Sequence, residues 1–281
     1  MLRLLTIEFY KLKHNKASVV LISIYFCLLM AITLIATIEF SFFGKTIHVA
    51  EQGIFNFPYV WHFNTYVAAI LKFFLLLVIV SMTANEYSYK TIKQNLIDGL
   101  SKKEFILSKF YTVIAFALIS TVFIFIVSFI LGIIYSDFNE IGIIFSDLGY
   151  LLAFFIKLVS FFSLGLFFGI LVKRSAFAVG GIVVLLIGEN IFRGYLFWIF
   201  KGAENSTEKV NRFMQFLPLE SMTNLIKEPF SRLGPIKSAA NQLGGAFTKE
   251  YAVEFSTICI VSVWIFMFIY FSYVLIKRRD L

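Results

Sequence analysis

Long apolar runs separated by short polar segments set the pattern of this chain. Six runs, near 17–38, 65–84, 110–135, 148–172, 177–200 and 255–276, are each long enough for a helix rising ~1.5 Å per residue to cross a hydrocarbon core of ~30 Å. All four prolines (Pro58, Pro218, Pro229 and Pro235) fall outside them. The spans are therefore expected to be continuous, unlike the broken helices of many secondary transporters. Ahead of them, in residues 1–16, Leu4, Leu5, Ile7 and Phe9 alternate with Arg3, Glu8, Lys11 and Lys13. That pattern predicts an interfacial amphipathic helix with its cations toward anionic lipid. No small-residue cleavage site follows the first run, so this start is expected to be retained.

Between the second and third runs lies a polar stretch, residues 85–109, NEYSYKTIKQNLIDGLSKKEFILSK. Its first half reads as a short helix carrying Ile92, Leu96 and Ile97 on one stripe. Gly99 ends it, because glycine reaches left-handed dihedrals cheaply. Ser101 and Glu104, three apart, then form a capping box that opens the next helix. A helix, a stop and a capped restart make a rigid knob at the end of the bundle.

The connection 201–254 also carries helical signals. Val210, Phe213, Met214 and Leu217 recur at helical spacing, and Pro218 suits the first turn of a new helix bearing Met222, Leu225 and Ile226. Two readings stay open: a re-entrant hairpin covered by protein, or a small surface cap.

Composition sharpens the class. Of 281 residues, 59% are hydrophobic and 15% charged, against about a quarter charged in soluble domains; the chain is an all-α integral membrane protein and one transmembrane domain. The net charge of +8 sits at the ends of apolar runs, which excludes a nucleic-acid face and sets orientation instead. Arg3, Lys11, Lys13, Lys16, Lys90, Lys93, Lys102, Lys103, Lys109, Lys173, Arg174, Lys277, Arg278 and Arg279 all flank one side. The two short loops opposite, 39–64 and 136–147, hold only Lys45. Both termini and the knob are thus expected in the cytoplasm. The 36 phenylalanines fit an A+T-rich codon bias better than an aromatic substrate path.

Candidate chemistry is sparse. Cys27 and Cys259 lie in the first and last spans, without a C-x-x-C pair or a nearby histidine, so metal and redox chemistry lack support. Hydrolase and zinc-protease motifs are absent. His48, Glu51 and His62 match no ligand spacing, and Gly44-Lys45-Thr46 lacks the first glycine of a phosphate loop, position 39 being Glu39. Gly165 and Gly169 let another helix approach, within the subunit or across a dimer. Lys72, Lys157, Glu189 and Arg193 are ionisable groups inside spans, which are costly in lipid and face protein or water. Glu189 and Arg193, four apart, suit an intrahelical ion pair. Together the four either line a polar translocation path or are structural.

The 85–109 stretch resembles the first cytoplasmic loop of type-2 ABC exporter permeases. Glu86, Lys90-Thr91, Leu96-Ile97, Gly99, Ser101-Lys102 and Lys109 stand in the places of that loop's pattern. Lys90 replaces a common glycine and Lys102 a common arginine. The interfacial start, six spans with both ends inside and the hairpin-like connection extend the resemblance over the chain. It implies a non-catalytic export permease of the bacterial inner (cytoplasmic) membrane, working as a homo- or heterodimer with a separate pair of ABC ATPase subunits. In that reading the partner binds ATP and Mg, this chain has no cofactor, and residues 85–100 form the coupling helix. Glu86, Thr91, Ile92, Leu96, Gly99, Ser101, Lys102 and Glu104 then shape the ATPase contact or its hinge. The competing classes are an ATPase-independent channel or secondary carrier using Lys72, Lys157, Glu189 and Arg193, an intramembrane enzyme, and a structural or immunity-type membrane partner. Cargo is not readable from the residues.

Overall fold

Apolar runs that meet no water close their backbone hydrogen bonds within themselves, and only helices do this one segment at a time. The computed structural model, which describes residues 2–35, 39–42, 45–48, 53–97, 99–138, 140–232 and 251–279, is accordingly dominated by helices. In chain order they are α1 (Leu2–His14), α2 (Lys16–Ile35), α3 (Tyr59–Ser88), α4 (Thr91–Ile97), α5 (Lys102–Tyr135), α6 (Ile141–Ile144), α7 (Gly149–Val172), α8 (Ser175–Ile199), α9 (Ser206–Met214), α10 (Pro218–Asn224) and α11 (Phe255–Arg278). One departure from all-α architecture is a small antiparallel hairpin, β1 (Glu39–Phe42) with β2 (Lys45–His48), in register Glu39 to His48.

Among the described residues α3, α5, α6 with α7, α8 and α11 are long and apolar enough to cross a membrane. The sixth expected span, α2, meets the same test only together with α1, from which it is bent by 94°. The bend has a local cause. Asn15 stands between the helices, and its side-chain oxygen accepts the Ser18 amide at 3.3 Å, starting α2 with a polar cap. α1 therefore runs across the end of the bundle.

α7 is the central helix, packed against α3, α11, α5 and α8. Its seam with α3 is close because of two glycines. A Cβ on Gly165 would lie 2.4 Å from Leu76 Cδ1, and one on Gly169 would lie 3.2 Å from Thr83 Cβ and 3.4 Å from the Val80 carbonyl oxygen. The choice left open by the sequence is settled for these residues: both are used for packing inside the subunit. α8 and α11 bury only narrow stripes, such as Ala178, Ile182, Glu189 and Leu196 on α8.

The two ends of the bundle differ. One end gathers α1, α4, the start of α5 and the ends of α7 and α11. Arg279 Nη1 and Nη2 donate to the Ile170 and Leu171 carbonyls at 2.5 and 2.9 Å, and Lys102 Nζ donates to the Arg279 carbonyl at 2.9 Å. A cation on the last carbonyls of α7 also complements the negative end of that helix. The opposite end carries α6, α9 and α10.

Gly169→Leu is expected to destabilise the protein by about 1–3 kcal/mol through overpacking the seam. Gly188→Leu, with open space around it, is expected to change stability by less than about 0.5 kcal/mol. Thermal unfolding of both variants in detergent checks the contrast.

Candidate functional site

Along the stripe Leu5, Glu8, Phe9 and Leu12 of α1, Leu5 and Phe9 are half-buried and Leu12 is buried, and Glu8 lies with them on the inward side, 2% exposed. This corrects the alternation read from the sequence, which set Glu8 among the outward polar positions; spacings of three and four place it with the apolar stripe. Lys109, on the first turns of α5, is fully buried and donates to Glu8 Oε2 at 2.6 Å and to Glu86 Oε1 at 2.5 Å. Glu86, near the end of α3, also accepts from Lys11 Nζ at 3.0 Å. Two cations and two carboxylates thus neutralise one another where three helices meet. Buried charge is tolerated only with such pairing.

The same carboxylate holds the knob. Asn95 Nδ2 of α4 donates to Glu86 Oε2 at 2.9 Å, and Thr91 Oγ1 donates to the Glu86 carbonyl at 3.4 Å. Ile92 is buried and Leu96 packs against the core, but Ile97 is 84% exposed. The expected stripe of three therefore ends at Leu96, because Ile97 is one residue, and about 100°, further round the helix. Glu86, expected among the partner-contact residues, is instead buried beneath them.

The stop and restart take the form read from the residues. Gly99 adopts φ +95°. Its amide donates to the Leu96 carbonyl at 3.2 Å and the Leu100 amide to the Asn95 carbonyl at 3.0 Å, the paired bonds of a Schellman stop. Ser101 and Glu104 complete a capping box: the Glu104 amide donates to Ser101 Oγ and the Ser101 amide to Glu104 Oε2. Lys90, where the resembling loops have glycine, takes φ +55°, a left-handed conformation that glycine adopts more cheaply.

The four intramembrane ionisable residues separate into two groups. Lys72 Nζ lies 4.6 Å from the centre of the Phe161 ring, and Lys157 is buried on the facing helix. Glu189 and Arg193 do not form the expected intrahelical pair. Glu189 accepts the Leu219 and Glu220 amides at 2.9 and 3.0 Å, and Arg193 pairs with Glu220. Pro218 opens α10 and no residue of α10 caps it, so the buried Glu189 carboxylate supplies the acceptors for its free amides. Met222, Leu225 and Ile226 then join the main core, while Val210 and Met214 pack on Leu196.

The opposite end has further fastenings. Tyr59 Oη donates to the Pro229 carbonyl at 2.6 Å, His62 Nε2 contacts the Lys227 carbonyl at 2.8 Å, and the His62 ring stacks on Tyr150. His62 is thus a packed core group. Glu51, Gly44 and residues 233–250 lie outside the described residues. Among the described residues, no three His, Cys, Asp or Glu side chains gather to hold a metal.

A buried joint of charge pairs thus lies beneath α4 at one end of an apolar bundle. The sequence profile described as ABC-2 family transporter protein matches residues 4–281. The chain belongs to the ABC-2 transporter family. It is a multi-pass membrane permease component of an ABC transporter, and the family's membrane subunits are generally not catalytic themselves. Comparison with curated proteins returns no match.

In this ABC-2 transporter, sequence reasoning counted Lys11, Lys109 and Arg279 as flanking charge, set Glu8 among the outward polar positions and gave Asn95 no role. The available signal was Glu8 itself, the one acid in residues 1–16, standing on the Leu5–Leu12 stripe.

Lys109→Met is expected to cost about 3–5 kcal/mol, because two carboxylates lose their shared buried partner; thermal unfolding in detergent measures it. Glu189→Gln weakens two charge-assisted bonds to backbone amides. Hydrogen exchange at the Leu219 and Glu220 amides is expected to accelerate by about tenfold or more.

Proposed function

We propose that the end bearing both termini is cytoplasmic and that α4 is the coupling helix on which an ABC ATPase docks. The observation that carries this is the direct tie of α4, through Asn95, to the Glu86–Lys109–Glu8 joint. A push on α4 reaches the inner ends of α1, α3 and α5 through charge pairs that are costly to break. The exposed Ile97 and Tyr89, 84% and 74% accessible, are apolar or amphipathic groups on a segment outside the long apolar helices. That is the composition of a partner contact. Ile92 and Leu96 form the inner side of this platform, Thr91 and Lys102 are half-buried at it, and Gly99, Ser101 and Glu104 are exposed on its surface.

ATP and Mg belong to the partner chain, and a second copy or a paralogue of this permease completes the exporter. The membrane is the inner (cytoplasmic) one of a bacterial cell, and the cation distribution supports that orientation. α9 and α10 form a re-entrant hairpin from the outer side, supported by the entry of Met222, Leu225 and Ile226 into the core. The ATPase-independent carrier reading needs Lys72, Lys157, Glu189 and Arg193 on one path. The attachment of Glu189 and Arg193 to α10 favours the coupled permease.

Co-expression with the cognate ABC ATPase tests the proposal. Ile97→Asp is expected to reduce the co-purified ATPase by about tenfold or more, the value of losing one buried aliphatic contact, with the melting temperature of the permease unchanged. Undiminished ATPase binding by Ile97→Asp would overturn the docking assignment.

A further inference from the structure

The elbow between α1 and α2 borders a half-open cavity of about 220 Å³ against the end of α3, with Lys11, Asn15, Ser18, Asn85, Thr91 and the Lys-paired Glu86 on its polar wall and Leu12, Met82 and Tyr89 on its apolar wall. Ser18, a wall residue of this cavity, is 1% exposed, and its hydroxyl, just behind the wall, has no hydrogen-bond partner. A buried hydroxyl left unbonded is unfavourable, so an acceptor entering the cavity is stabilised there. Lys11 adds to this. One of its three N–H groups reaches Glu86 at 3.0 Å, the side chain is 37% accessible, and the other donors are available for a ligand.

Charge decides the sign of the ligand. Glu8 and Glu86 are already matched by Lys109 and Lys11. Lys13 and Lys16, exposed on the same turn of chain, leave the elbow with an excess of cations. Position decides its kind. The cavity opens where an amphipathic helix turns by 94° into an apolar one, the level of phospholipid headgroups in a bilayer.

We propose that this elbow is a binding site for an anionic phospholipid of the adjoining leaflet. Its phosphate accepts from Lys11 Nζ and Ser18 Oγ, and its glycerol and acyl root rest on Leu12 and Met82. The site shares Lys11 with the buried ion joint, so lipid occupancy bears on the same carboxylate that holds α4. The inference needs only residence in a membrane and is independent of ATPase docking.

Native mass spectrometry of the delipidated full chain in detergent tests it, titrating dioleoyl phosphatidylglycerol against dioleoyl phosphatidylcholine. The expected result is one phosphatidylglycerol bound about tenfold more tightly than phosphatidylcholine, the worth of a charge-assisted hydrogen bond. Ser18→Phe, which fills the cavity, and Asn85→Leu, which changes its rim, are each expected to remove that preference. Asn85→Leu carries the test if Ser18→Phe does not fold. Equal binding of the two lipids by the wild type, or an undiminished preference in the folded variants, overturns the proposal. Displacement of phosphatidylglycerol by equimolar glycerol 3-phosphate overturns the lipid assignment in favour of a soluble phosphate.

Discussion

Lys109 is a charged side chain with no exposed surface, and the end of the bundle is arranged around keeping it paired. Burying an ammonium alone costs several kcal/mol even after relaxation. Glu8 must therefore come in from α1 and Glu86 from α3. Once those carboxylates are in place, α1 is held across the end of the bundle, the 94° elbow at Asn15 follows, and α4 is moored through Asn95. An apolar residue at position 109 could pack there. It would not specify which helices meet.

The other end uses a different device for the same problem. α10 starts at a proline and has no cap of its own, so its free amides would be stranded at the bundle surface. Glu189, inside α8, accepts two of them, and Arg193 binds Glu220 behind. Charges that look expensive when a single helix is considered become fasteners once a second segment returns to meet them. Between the two ends, the α3–α7 seam is apolar and close because Gly165 and Gly169 admit Leu76, Val80 and Thr83. The bundle is thus fastened by charge pairs at both ends and by close apolar packing in the middle.

The elbow cavity stands apart from these economical solutions. In the joint each charged group has a partner, whereas the buried Ser18 hydroxyl, at the wall of the cavity, has none.

Much of the architecture was legible in the residues because membrane insertion is a local decision. Twenty apolar residues without proline make a spanning helix whatever surrounds them, so the positions of α3, α5, α7, α8 and α11 follow from hydropathy. Local backbone chemistry was equally readable: Gly99 as the helix stop, and Ser101 with Glu104 as a capping box, involve partners within a few positions of each other. Pairings across the chain were not readable. Glu189 with Arg193 looked like a pair because i and i+4 are neighbours on one helix, yet the amides of Leu219 and Glu220 compete for Glu189 and win. Glu8, Glu86 and Lys109 are separated by up to 101 positions, and no period or spacing in the sequence relates them. Which charge neutralises which is decided only when helices pack, since in a low-dielectric interior each ion takes whichever partner the tertiary fold brings within bonding distance.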